Sequence, residues 1–139
     1  MKVQSYIFFD GRCEEALEFY GSAVGAKVNV VLRYKDSPEP QPEGMMPPGS
    51  ENKIMHSEFS IGETTLMGSD GYCGGKAQFQ GFALALLLDS GAEAERVFKA
   101  LSEGGQATMP LSETFFAKRF GMLTDRFGVA WSLLAEPKQ

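Results

Sequence analysis

The same order of elements can be read twice along this 139-residue chain. Val3–Phe9 is a run of β-branched and aromatic residues that ends at the turn pair Asp10-Gly11. Arg12–Ala23 places apolar residues at Cys13, Ala16, Leu17, Tyr20 and Ala23, the stripe of an amphipathic helix. Glu14 and Glu15 suit its first turn, and Gly25 is placed to end it. Lys27–Tyr34 alternates, with Val28, Val30, Leu32 and Tyr34 on one face and Asn29 and Arg33 on the other. That predicts a strand with one buried face. Lys53–Ile61 and Thr64–Ser69 are two more strands about Gly62-Glu63.

After Asp70–Lys76 the order returns. Phe82–Leu88 is a strand, Asp89-Ser90-Gly91 a turn, and Ala92–Glu103 a helix with Val97, Phe98 and Leu101 on its apolar face. A short strand near Ala107–Met109 stops before Pro110, and Phe116–Thr124 and Val129–Ala135 flank a turn at 125–128. Each half is thus βαβββ, too small for a good core alone, so the two are expected to pack as one unit. The expected class is α+β, with one module over 1–70, a linker over 71–79 and a second module over 80–139. Residues 35–52 interrupt this order with five of the chain's seven prolines, a density that predicts an exposed, extended loop. Met45 and Met46 within it are either adaptable lid contacts or residues without a fixed place.

Composition excludes several classes. Thirteen Lys and Arg are scattered among 18 Asp and Glu, so no basic stripe exists for nucleic acid. The two cysteines lack C-x-x-C spacing and are too few for a disulfide scaffold. The longest apolar run, Phe82–Leu88, is far short of the roughly 20 residues that cross a bilayer. With no signal-peptide pattern at Met1–Ser5, a cytoplasmic domain is expected, with no nucleic-acid or membrane partner.

Three segments carry a family resemblance: Phe9-Asp10-Gly11-Arg12-Cys13-Glu14-Glu15-Ala16-Leu17-Glu18-Phe19-Tyr20, His56 through Asp70, and Met109-Pro110-Leu111 through Phe116 followed by Arg119-Phe120-Gly121, Asp125-Arg126-Phe127-Gly128 and Trp131. Together they resemble the PhnB-like branch of the vicinal-oxygen-chelate superfamily, which includes glyoxalase I, extradiol dioxygenases and bleomycin-resistance proteins. The resemblance implies a curved sheet per module, with the helix on the convex face and a ligand pocket on the concave one. It also implies a homodimer. Alternation agrees: Phe82, Leu84, Leu86 and Leu88 share one face, and Ala83, Ala85 and Leu87 the other. Trp131 and Leu133 likewise oppose Ala130, Ser132 and Leu134. Some relatives carry a demethylubiquinone methyltransferase name, but this sequence has no glycine-rich strand-to-helix loop of the Rossmann type that would support it.

Superfamily enzymes hold a divalent metal with His and Glu from four strands. Carried onto this sequence by strand order, those positions are Ser5, Met67, Ala83 and Ser132, none of them a His or carboxylate. With one histidine in the chain, no two-histidine site forms within a protomer, which disfavours a metal and leaves no cofactor expected. His56 and Glu58 share a strand face opposite Met55, Phe59 and Ile61. They are read either as a general base with its orienting carboxylate, or as a polar pair satisfying each other or a dimer contact. Arg119 either pairs an anionic ligand in the pocket or binds a neighbouring carboxylate; with Ser5 and Ser132 it completes the candidate ligand contacts. Cys13 either gains reactivity from the helix dipole or belongs to the packed stripe. The leading function is binding, and metal-independent transformation, of a small oxygen-rich metabolite. The alternatives are a sequestration protein of the bleomycin-resistance type, and a metal lyase or dioxygenase whose relocated site uses His56, Glu58 and groups from a partner chain.

Overall fold

The computed structural model describes residues 1–39 and 46–138, which divide into two compact units, Met1–Ala77 and Gln78–Gln139. The first contains β1 (Tyr6–Phe8), α1 (Cys13–Val24), β2 (Lys27–Arg33), β3 (Ile54–Ile61) and β4 (Thr64–Ser69). Its sheet has the order β1-β4-β3-β2, with β1 parallel to β4 and the other pairs antiparallel. The second contains β5 (Leu84–Leu88), α2 (Gly91–Ser102), β6 (Gln106–Ser112), β7 (Ala117–Thr124) and β8 (Ala130–Pro137), in the equivalent order β5-β8-β7-β6. The architecture is α+β with two βαβββ modules, a glyoxalase-like fold. No helix among the described residues is long and apolar enough to cross a membrane.

In each unit the helix stripe covers one face of the sheet. Cys13, Ala16, Leu17, Tyr20 and Ala23 of α1 are buried together with Ile7, Phe59 and Leu66. Ala94, Val97 and Leu101 of α2 are buried together with Leu123, Trp131 and Leu133. Both helices start on a carboxylate from the end of the last strand in their module. Asp70 Oδ1 accepts from the backbone N–H groups of Gly11 and Cys13, both at 2.8 Å, while its Oδ2 accepts from Ile54 N–H at 2.8 Å. Glu136 Oε2 accepts from Gly91 N–H at 3.0 Å, and the Ser90 hydroxyl caps Glu93 N–H. Asp125 fixes the β7–β8 turn by accepting from Phe127 N–H, Val129 N–H and Trp131 Nε1–H. At Gly105 a Cβ would stand 2.2 Å from the Thr124 carbonyl oxygen, so the return from α2 to β6 admits only glycine.

Four expectations are corrected. β2 has no buried face: Val28, Val30, Val31 and Leu32 are all exposed. Register shifts at Val28/Val30 and Leu32/Arg33 break the alternation, so Val28 lies opposite Phe59 and Val30 opposite Glu58, on different sides of the sheet. β6 does not stop before Pro110 but runs through it, because an edge strand has no ladder bond to lose there. β1 is only three residues long, with Val3 outside it and exposed. Phe82 precedes β5 and is half exposed instead of packing under α2. In the proline-rich segment, single 3-10 turns at Tyr34–Asp36 and Ser50–Asn52 stand at either end, and Met46 is half-buried. Pro40, Pro42 and Met45 lie outside the described residues.

Candidate functional site

β3 sorts its residues cleanly. Ser57 and Phe59 are fully buried towards α1, so His56 and Glu58 project from the other, open face of the sheet. β1 does the same: Ile7 and Phe9 are buried, while Tyr6 and Phe8 are 40% and 48% exposed. The register aligns Tyr6 with Met67, Met67 with Glu58 and Glu58 with Val30 across one row, and sets His56 opposite Leu32.

On this face Tyr6 Oη lies 2.8 Å from His56 Nδ1, and His56 Nε2 lies 3.6 Å from Glu58 Oε2. The His56 and Glu58 side chains are 26% and 39% exposed. The Tyr6 ring meets the imidazole edge-on at 5.5 Å and stacks on Phe8 at 4.7 Å and 9°. The Glu58 carboxylate favours a proton on Nε2, which leaves Nδ1 to accept the phenol's hydrogen. Burial pushes the Tyr6 phenol above its ordinary range, partly offset by a hydrogen bond with Ser69. The arrangement is a line of three polar groups on a face that also carries apolar Phe8, Met67, Val30 and Leu32, with the Ser60 and Thr65 hydroxyls further along it.

The other candidates are placed separately. Ser5 precedes β1, is exposed, and its carbonyl accepts from Met67 N–H at 2.9 Å. Ala83 precedes β5 and is exposed. Ser132 is half-buried in β8 opposite Ala85, on the side away from Trp131 and Leu133. Arg119 is on the helix side of its sheet, not the open side, which corrects its expected direction. It shares a face with buried Ala117, Gly121 and Leu123, approaches Glu95 Oε1 at 3.4 Å, and donates from Nη1 to the Lys118 carbonyl at 2.9 Å. Small residues occupy the helix side of β7 because the helix rests there: a Cβ on Gly121 would come within 3.0 Å of the Phe98 ring. Phe120 and Met122 therefore stand on the open side. Ser90, Glu95, Lys118, Arg119 and Glu136 line a cavity of about 410 Å³ beside the start of α2. There Glu136 already holds the helix terminus, and the two cations face two carboxylates.

Cys13 is fully buried, and burial together with the Asp70 charge pushes its thiol up to about 12. It is a packing residue. Tyr6 and Asp70 were not singled out by the sequence reading. Alternation in Tyr6-Ile7-Phe8-Phe9 carries the signal for Tyr6; nothing in the periodicity marks Asp70.

The donors do not suit the superfamily metal. Among the described residues, no three of His, Cys, Asp and Glu converge where they could hold an ion, and two serines, a thioether and a methyl occupy the four expected positions. A Rossmann-type S-adenosylmethionine cradle does not fit either. Such a cradle needs open N–H donors where the first helix begins, and here Asp70 occupies those of Gly11 and Cys13.

The family model described as 3-demethylubiquinone-9 3-methyltransferase matches residues 1–134. Protein YjdN of Escherichia coli (strain K12) is 34% identical over 140 residues, covering 96% of this chain and 94% of that protein. Among solved structures, protein PA1353 from Pseudomonas aeruginosa is 41% identical with a TM-score of 0.84, covering 98% of each chain. The PhnB protein from Bacillus cereus is 29% identical with a TM-score of 0.79, covering 97% of this chain and 99% of that one. A glyoxylase/bleomycin resistance protein/dioxygenase domain from Frankia sp. EAN1pec, 15% identical with a TM-score of 0.64 over 96% of this chain and 94% of that one, shares the fold. With a family model spanning nearly its whole length and relatives this similar end to end, the chain belongs to the PhnB-like family which that model describes.

Proposed function

We propose that the chain binds a small oxygen-bearing metabolite on the open face of its first sheet, and transforms it by proton transfer through His56 and Glu58 without a metal. The observation that supports this reading is the position of His56. A partly exposed imidazole, bonded to a phenol and next to a carboxylate, stands among apolar Phe8, Met67, Val30 and Leu32 on the open face. Imidazole titrates near neutral pH and serves as acid or base there. Ser5 and Ser132 remain candidate ligand contacts within their own units.

The test is native mass spectrometry of protein purified without a His tag, followed by turnover assays on any ligand carried through. His56→Ala is expected to lower turnover by roughly 10²–10⁴-fold. An unchanged rate would overturn the assignment. Tight binding with no turnover in wild type would favour sequestration, which the stacked pair Tyr6 and Phe8 would also serve. Stoichiometric metal surviving dialysis would favour a relocated metal centre.

We also propose a homodimer. Apolar residues left open on β2 support it, since a second chain would cover them. Light scattering that gives a monomer mass at all working concentrations would overturn this.

A further inference from the structure

The imidazole nitrogen that a general base would use is already engaged. Tyr6 Oη is within hydrogen-bond distance of His56 Nδ1, at 2.8 Å. Glu58, 3.6 Å from Nε2, is too far for an N–H···O hydrogen bond but near enough for its charge to favour a proton there. A ligand proton bound for Nδ1 therefore meets the phenol first. Tyr6 is also the more open of the two, exposed where His56 is half-buried.

We propose that Tyr6 is a catalytic residue, the ligand-facing end of a Glu58–His56–Tyr6 proton chain. This rests on the role given above to His56 and Glu58. In a single step the phenol oxygen takes a proton from the ligand while its own proton passes to Nδ1. The ligand is left as an anion, His56 as an imidazolium facing the Glu58 carboxylate, and Tyr6 as a phenol. One proton enters and one moves on, and no oxidant or reductant takes part. The phenolate never accumulates, which is consistent with the upward push that burial gives the Tyr6 phenol. The ligand class is a compound whose acidic hydrogen lies on the carbon next to a carbonyl group, so that the anion left behind is an enolate.

A phenol assisted in this way is a nucleophile towards acyl donors. The experiment treats the full chain with p-nitrophenyl acetate at neutral pH and maps acetyl groups by peptide mass spectrometry. The phenol oxygen bonds to the acyl carbon, p-nitrophenolate leaves, and the phenol proton goes to Nδ1. Tyr72, 64% exposed, is the reference within the same unit. Tyr6 is expected to react roughly 10²-fold faster than Tyr72, the lower end of what a positioned base supplies. His56→Gln should abolish the excess and Glu58→Gln reduce it. Tyr6 reacting no faster than Tyr72, or unaffected by His56→Gln, would overturn the proposal. Equal p-nitrophenol release by wild type and Tyr6→Phe would place the imidazole itself against the ligand. That would overturn the role of Tyr6 while leaving His56 and Glu58 standing, whereas normal turnover of a natural ligand by His56→Ala would remove the underlying reading.

Discussion

Asp70 Oδ1 lies 2.8 Å from the backbone nitrogen of Cys13, 57 positions earlier in the chain. The same carboxylate also accepts from Gly11 and Ile54, so one buried side chain joins α1, β3 and the end of β4. Asp70→Ala strands three backbone donors. It is expected to destabilise the protein by about 3 kcal/mol or more, since each unsatisfied buried donor costs roughly 1–3 kcal/mol. Urea denaturation checks this, and a loss below about 1 kcal/mol would mean that water replaces the carboxylate.

The strands of the second sheet separate packing from exposure. Leu133 is fully buried, whereas Leu86 is half-buried and Ala85 exposed. Leu133→Ala should cost about 2–5 kcal/mol, Leu86→Ala less, and Ala85→Ser close to nothing. Equal losses at Leu133 and Ala85 in chemical denaturation would show that the faces are reversed.

The Cys13 thiol, raised from 9.0 to about 12 chiefly by burial, gives a stability difference with a definite sign. Its contribution is fully present below the unfolded value and is lost as pH rises towards the folded one. Wild type should therefore lose about 1 kcal/mol relative to Cys13→Ala between pH 8 and pH 10. Parallel denaturation curves at the two pH values check it; an unchanged difference would show that the folded thiol ionises as freely as the unfolded one. In the native state the thiol should also resist disulfide-exchange reagents that label Cys73.

Removing His56 should leave the fold nearly intact. Its side chain contributes one hydrogen bond on a partly exposed face, worth about 1 kcal/mol. A much larger loss on His56→Ala, measured by thermal denaturation, would make the residue structural and undo its functional assignment.

Periodicity carried most of the fold. The stripes from Cys13 to Ala23 and at Val97 and Leu101 are direct records of helices lying on sheets. What alternation missed are the places where a local rule yields to tertiary context. The shifts within β2 swap Val28 and Val30 between sides, and an edge position tolerates Pro110. Of the two alternatives for Arg119 the structure shows the carboxylate pairing with Glu95; the pocket-facing one fails although Phe120 and Met122 look like core residues. Close packing beneath a helix instead selected Ala117 and Gly121. His56 and Glu58 were legible as a same-face pair; alternation gives the face of Tyr6 but not its bond to His56, which spans 50 residues and reaches past β4.

The two sheets end on differently defended margins. In β6, Pro110 has no N–H to offer, so an incoming strand meets a gap in the row of donors. In β2 there is no proline, and valines and a leucine stand exposed beside the open margin. A strand from another chain would find its template on the first unit. Self-association in crowded or partly unfolded samples should therefore begin at Lys27–Arg33, and a lysine placed at Val28, on the side of the sheet away from His56, would protect solubility.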